Sequence, residues 1–174
     1  MKIENNILFA VDDIDIKNGE FAIPEGKKYI WNGAFFYCRN LISIVIPEGV
    51  VAIGSFAFER CSNLTTISIS SSGMSVGERA FSLCNLTSIV IPDNVTIIGS
   101  EAFVGCDRLA SVIISNKVPA IANGLFKYCE ALTDIIIPKN VTFIGKQAFY
   151  KCSNLTSMVI PDSVTRIRAS ICWL

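Results

Sequence analysis

LTSIVIPDNVTIIGSEAFVGC, residues 86–106, returns at residues 132–152 as LTDIIIPKNVTFIGKQAFYKC, and looser copies run from residue 18 to the C-terminus. The unit of explanation is therefore one repeat of 23 residues, and seven units align: 18–40, 41–63, 64–85, 86–108, 109–131, 132–154 and 155–174. The third is one residue short and the last is incomplete. Within a unit, the leucine is followed three and five places on by apolar residues, as in Leu86, Ile89 and Ile91, which predicts a short strand with Ser88 and Val90 on its other face. Proline ends that strand in five units, at Pro24, Pro47, Pro92, Pro138 and Pro161, where a missing N–H and a fixed φ start a turn.

Beyond the corner stand an apolar pair and a glycine, as in Val95, Ile98 and Gly99 or Val141, Ile144 and Gly145, which reads as a second strand or extended segment with glycine supplying a φ that L-residues avoid. An Ala-Phe pair and then cysteine follow, and a helical turn would fold phenylalanine and cysteine inward together. Too few side chains of a unit face inward to enclose a core alone, so units must stack.

Cys38, Cys61, Cys84, Cys106, Cys129 and Cys152 each occupy the same repeat position. Stacking points their Cβ vectors the same way, whereas a disulfide needs converging ones, so the column reads as six reduced core thiols. Cys172 lies outside it, where earlier units have phenylalanine. No CxxC pair and no histidine occur, so no zinc set is assembled and no metal or other cofactor is expected.

Composition narrows the classes further. The chain has 174 residues, 51% of them apolar, and fifteen basic residues balance fifteen acidic ones, so it is globular and offers nucleic acid no basic face. No apolar run is long enough for membrane insertion, and MKIENNILFAVDDID lacks the basic-then-apolar order of a signal peptide. Without histidine a Ser or Cys nucleophile lacks its usual base, and neither GxGxxG nor GxxxxGK occurs, so no enzyme is expected. Asp12, Asp13 and Asp15 read as a solvated acidic turn. The N-x-Thr sequons at Asn63, Asn85, Asn94, Asn140 and Asn154 follow from repeat register.

Residues 1–17 are expected to form an N-terminal cap or a degenerate extra repeat. Ile14, Ile16, Phe21 and Ile23 alternate about Asn18-Gly19, a hairpin signal, and an antiparallel strand there would cover the first strand edge. SSSGMS in the third unit predicts a looser corner near Ser71 to Ser75. The last unit places Arg168 at the glycine position and stops before closing, so either Trp173 and Leu174 fold over its end or a second molecule associates end to end.

The string LxxIxIP…VxxIGxxAFxxC resembles the BspA-type subclass of leucine-rich repeats over residues 18 to 174. That resemblance implies a right-handed leucine-rich-repeat solenoid with a parallel sheet on one face and strand, turn and helical-turn segments on the other. It further implies kinship with bacterial and protist molecules, at the cell surface or secreted, that bind host or matrix proteins, with the cytoplasm as the alternative location where no signal peptide is read, and it offers no catalytic motif.

Four places after each leucine, the residue expected on the outer side of the sheet is Val45, Ser68, Val90, Ile113, Ile136 or Val159. Ser43, Ser88, Ser111, Asp134 and Ser157 flank this stripe. It reads either as a protein-binding surface or as branched residues burying one another along neighbouring rungs. Phe36, Tyr37, Tyr128 and Tyr150 are further candidates for exposed aromatics. The two functional readings are accordingly a protein-binding or adhesion module and an inert stalk or spacer within a larger surface protein.

Overall fold

Every repeat carries two apolar segments of strand length separated by a turn, so each circuit of the chain feeds two sheets. The computed structural model describes residues 1–70 and 74–168. Its described strands are β1 (Lys2–Glu4), β2 (Ile7–Ala10), β3 (Tyr29–Ile30), β4 (Ser43–Ile46), β5 (Ala52–Ile53), β6 (Thr66–Ile69), β7 (Met74–Val76), β8 (Ser88–Val90), β9 (Val95–Ile98), β10 (Ser111–Ile113), β11 (Ala120–Ile121), β12 (Asp134–Ile135), β13 (Phe143–Ile144) and β14 (Arg166–Ile167). The leucine-segment strands β4, β6, β8, β10 and β12 make the front face, and β3, β5, β7, β9, β11, β13 and β14 make the back face. Where successive rungs pair, they pair parallel, for example Ser88 with Ser111 and Asp134 in front and Ile121 with Ile144 and Ile167 behind, with one register shift between β7 and β9. The expected solenoid is thus present, and its second apolar segment forms a second parallel sheet.

The core lies between the sheets as columns of equivalent residues: Leu64, Leu86, Leu109 and Leu132 are each fully buried, as are their neighbours in the phenylalanine and cysteine columns. Phe35, Phe58, Phe81, Phe103, Phe126 and Phe149 stack ring on ring, with centroids 4.7 to 5.7 Å apart and interplanar angles of 7° to 16°. Phe21 closes the N-terminal end of the stack edge-on at 5.2 Å. Proline begins the front-to-back corner as expected, with Val95 N–H donating to Pro92 O and Val141 N–H to Pro138 O, both at 3.0 Å.

Around each phenylalanine no helical turn forms. Overlapping four-residue turns replace it: Ala34 donates to Trp31 O, Phe36 to Gly33 O and Cys38 to Phe35 O. Two residues per unit take the left-handed region here, at Gly33, Phe56, Arg79, Glu101, Gly124 and Gln147, and again at Tyr37, Arg60, Leu83, Gly105, Tyr128 and Lys151, with φ between +52° and +69°. Only three of these are glycine, although a left-handed L-residue costs on the order of 1 kcal/mol. The geometry frees alternate N–H groups to point along the solenoid axis. Phe35 donates to Ala57 O at 2.7 Å, Phe58 to Ala80 O, Phe81 to Ala102 O, Phe103 to Leu125 O and Phe126 to Ala148 O, and the residues two before and two after each phenylalanine do the same.

The glycines of the VxxIG segment turn out to serve a different need from the one expected. Gly54, Gly77, Gly99 and Gly145 do not have positive φ; instead a Cβ on Gly77 would lie 2.5 Å from Ser55 N, and one on Gly99 would lie 2.5 Å from Glu78 N. They permit close approach of one rung's backbone to the next.

Both sheets are interrupted, at different places. Front strands β4 and β6 pair with each other, β8, β10 and β12 pair with one another, and no ladder joins β6 to β8. The interruption coincides with a shortened connection just upstream of β8. Leu64, Leu109, Leu132 and Leu155 each donate to the cysteine carbonyl three residues earlier, but only Asn85 separates Cys84 from Leu86, so this turn does not form there. The residue absent from the third unit is therefore absent here. Ser71 to Gly73 of the expected looser corner lie outside the described residues. On the back face the break falls between β9 and β11, where Pro119 has no N–H to give and Ala122 stands at the glycine position, making no bond to Ile98 O. Arg168, at the same position, still donates to Ile144 O at 3.0 Å, so the two features at β11 act together.

At the N-terminus an antiparallel hairpin does cover the sheet edge, but it is β1 with β2, upstream of the predicted site, and β2 pairs parallel to β3. Asn18 and Gly19 form a tight turn with both φ positive, closed by a single bridge between Lys17 and Glu20. Ile16, Phe21 and Ile23 are buried as expected, whereas Ile14 is exposed. Val11 mimics a phenylalanine of the corner, donating to Ala34 O and accepting from the Cys38 thiol. Trp173 and Leu174, expected at the other end, lie outside the described residues. Ile160, at a core position of the last rung, is 40% exposed.

Two measurements check this account. Gly77→Ala should destabilise by roughly 2–3 kcal/mol in chemical denaturation, because backbone must shift to admit the methyl group. Gly26→Ala, at φ +75° with nothing within 4 Å of the added Cβ, should cost about 1 kcal/mol. In native-state hydrogen exchange, Ser88 and Val90 should exchange faster than Phe81, Phe103 and Phe126. Alternate residues of a parallel strand bond to the same side, and Ile91 is the one donating to Ile113 O in the next rung.

Candidate binding face

Strand alternation decides which front-sheet residues can meet a partner. Val45, Val90, Ile113, Ile136 and Val159 project outward and are 58% to 83% exposed, while the adjacent Ile44, Ile46, Ile89, Ile91, Ile114 and Ile137 are buried. Register brings them together rung by rung: Val90 lies beside Ile113, and Ile136 beside Val159. The neighbouring column, Ser88, Ser111 and Asp134, is exposed and in register on the same face. Lateral burial by neighbouring rungs thus leaves most of each branched side chain in water. Val45 is separated from the rest by Ser68, beside which it pairs.

The aromatics divide into two clusters on the corner edge. Tyr37 is exposed with the Arg39 guanidinium over its ring and hydrogen-bonded to its hydroxyl, and Phe36 lies against it. Tyr128 meets Tyr150 edge to face at 5.7 Å, with the Lys127 ammonium within 5.5 Å of both rings; Tyr150 is half-buried. Neither cluster is contiguous with the stripe column. The acidic turn is occupied with local bonding: Asp15 accepts from Asp12 N–H, which lowers its pKa, and Asp13 accepts from Asn40 N–H. No group of metal-ligating side chains is found among the described residues.

The six column cysteines are buried, unpaired thiols. Each one except the first donates to the phenylalanine carbonyl of the preceding rung: Cys61 to Phe35 O at 3.0 Å, Cys84 to Phe58 O, Cys106 to Phe81 O, Cys129 to Phe103 O and Cys152 to Phe126 O. Spacing alone located this column, but not the carbonyl that fixes its chemistry. Burial, the leading cause, pushes Cys38, Cys106 and Cys152 up to about 12 and raises Cys84 and Cys129 well above the ordinary value. The thiolate is the nucleophile and metal ligand, so burial holds these five thiols in their less reactive form.

The profile of the BspA type leucine rich repeat region matches residues 15–84 and 74–172, with six copies. Among solved structures, a leucine-rich repeat protein from Bacteroides ovatus is 36% identical with a TM-score of 0.78 over 85% of this chain and 39% of its own. The leucine-rich repeat protein of T. pallidum is 26% identical with a TM-score of 0.63, covering 87% of this chain and 83% of that one. One from Eubacterium ventriosum, 20% identical with a TM-score of 0.52, shares the fold. This chain spans about two-fifths of the length of the Bacteroides protein. No curated protein matches.

Thiol burial makes a signed prediction. The folded chain holds thiol protons that the unfolded chain, with thiols near 9.0, releases. This contribution to stability is complete below about pH 9 and is lost as pH climbs toward the folded values near 12. Urea midpoints should accordingly fall steadily from pH 9 to 11, and Cys106→Ala should flatten that slope while lowering stability at pH 7. At pH 8 a thiol reagent should label the column cysteines only after denaturant is added.

Proposed function

The chain belongs to the family of BspA-type leucine-rich repeats, and from that premise we propose that it is a non-catalytic protein-binding module that engages its partner through the front sheet. One observation carries the reading: four adjacent rungs hold Val90, Ile113, Ile136 and Val159 outward in a continuous apolar column beside Ser88, Ser111 and Asp134. A contiguous exposed apolar strip with a polar margin is the usual composition of an interaction surface. The strands under it are tied by backbone pairing, so the strip is presented with little ordering cost on binding. The partner we infer is a protein, such as a host or matrix protein, met at the cell surface or after secretion, as the family resemblance implies. Among the described residues no helix is long and apolar enough to cross a membrane. Balanced charge supports contact through shape and apolar area over electrostatic steering.

A pair of double variants tests the reading. Ile113→Asp with Ile136→Asp adds like charges on adjacent rungs about 4.8 Å apart on a solvated face, which should cost around 1 kcal/mol of stability. Capture of host or matrix proteins by the wild type, followed by comparison with this variant, should show binding lost with melting little changed. Ile114→Asp with Ile137→Asp buries unpaired carboxylates and should leave the chain unfolded. If the outer pair folds and still binds as the wild type does, the stripe is not the contact and a spacer role takes its place.

A further inference from the structure

The N-terminal half of the front face differs from the stripe in shape and chemistry. Its outward column reads Ala22, Val45, Ser68 and Val90, so small residues stand on either side of Val45. Two hollows result. One of about 510 Å³ has a mostly apolar wall that includes Ala22, Ile23, Val45 and Pro47, with Glu20 and Ser43 as polar groups at its side. The other, about 340 Å³, lies over the interruption between β6 and β8 and is lined by Thr87, Ser88, Val90 and Pro92. Thr66 and Ser68 line both, making one trough across four rungs.

We propose that this trough binds a neutral oligosaccharide at a site that adjoins the protein-binding stripe and shares Ser88 and Val90 with its N-terminal end. Charge is the first argument. No lysine or arginine lines either hollow, which disfavours phosphate, sulfate and uronate, and the single carboxylate, Glu20, makes no ion pair among the described residues. Glu20 is held by the Ser43 hydroxyl at 3.2 Å, leaving acceptor capacity for ligand hydroxyls. Hydrogen-bonding character is the second. Ser43, Thr66, Ser68, Thr87 and Ser88 line the trough, and each hydroxyl both donates and accepts. A polyol is the ligand whose every group can do both. Shape is the third: Val45, Val90 and the two prolines give apolar shoulders for the C–H faces of sugar rings, and a pyranose repeat is about as long as the ~4.8 Å rung spacing. β6 and β8 lie too close side by side to admit a third strand between them, which argues against an inserted peptide.

The experiment is a titration of isotope-labelled protein, followed by amide NMR shifts, with cellotetraose, maltotetraose, mannotetraose and chitotetraose, and with a Gly-Ser octapeptide as the peptide arm. At least one saccharide should shift Ser43, Thr66, Ser68 and Ser88 saturably. Ser68→Val, which fills the trough with a strand-favouring residue, and Glu20→Gln should each weaken that binding about tenfold or more with melting unchanged. Ile113 and Ile136 line neither hollow, so the Ile113→Asp, Ile136→Asp variant should bind sugar as the wild type does, and loss of protein capture is then distinguishable from loss of sugar binding. The proposal is overturned if no saccharide shifts these amides at about 10 mM. It is equally overturned if Ser68→Val binds unchanged, or if the octapeptide shifts the same amides with equal affinity.

Discussion

The carbonyl of each corner phenylalanine is the point on which the stack depends. Phe58 O accepts the Cys61 N–H of its own turn at 3.2 Å and the Cys84 thiol of the next rung at 3.0 Å, while Phe58 N–H reaches forward to Ala80 O at 2.7 Å. One residue thereby closes its turn, joins the following rung twice and contributes a ring to the buried stack. A buried carbonyl has two lone pairs, and a thiol supplies the second partner while remaining small and apolar enough for the core. This explains cysteine at the position better than packing alone, since alanine would leave an acceptor short of a partner. Among the described residues the corner is also the one ladder that crosses every rung interface from Phe35 to Phe149; each sheet is interrupted once.

Much of the architecture could be read from spacing, because it depends on a period that side chains must repeat to share a core. The strand, its proline corner, the inward leucine and isoleucines and the outward stripe all follow from period two within a period of 23. What resisted was backbone geometry. A Phe-x-x-Cys spacing suits a helical turn equally well, and nothing in Tyr37, Arg60 or Leu83 announces a left-handed residue, since the cost there is borne by bonds to a neighbouring rung. Gly99 looks like a φ requirement because sequence cannot display the peptide lying 2.5 Å from its missing Cβ. The break between β6 and β8 was visible as a short spacing, Cys84 to Leu86, but its location had to be read from the turn that fails to form.

The front face carries two chemistries on one scaffold, and both arise from outward positions that the core does not constrain. From rung to rung Ile67, Ile89, Val112 and Ile135 remain buried and branched, whereas outward residues change from Ser68 to Val90 to Ile113. A partner surface can therefore be composed along the axis nearly residue by residue, with the ~4.8 Å spacing supplied by the strands. Asp134 shows the tolerance of the flanking column, since it replaces the serine of neighbouring rungs without losing register with Ser111.

Independence of face and corner also explains how a rung with a defective turn persists. The shortened connection between Cys84 and Leu86 coincides with the lost pairing of β6 with β8, yet Phe58, Phe81 and Phe103 stay stacked at 5.3 and 5.5 Å and their N–H ladder continues. Stability in a stacked array is close to a sum of neighbour terms, so an interface with an intact corner and an intact back sheet can lose its front pairing without separating. β7 and β9 supply that back pairing at the same interface. Behind β11, where the back sheet is interrupted, the front strands β8, β10 and β12 remain joined. No interface loses both sheets, and this staggering lets the front sheet open a hydroxyl-edged hollow beside an apolar strip without dividing the core beneath.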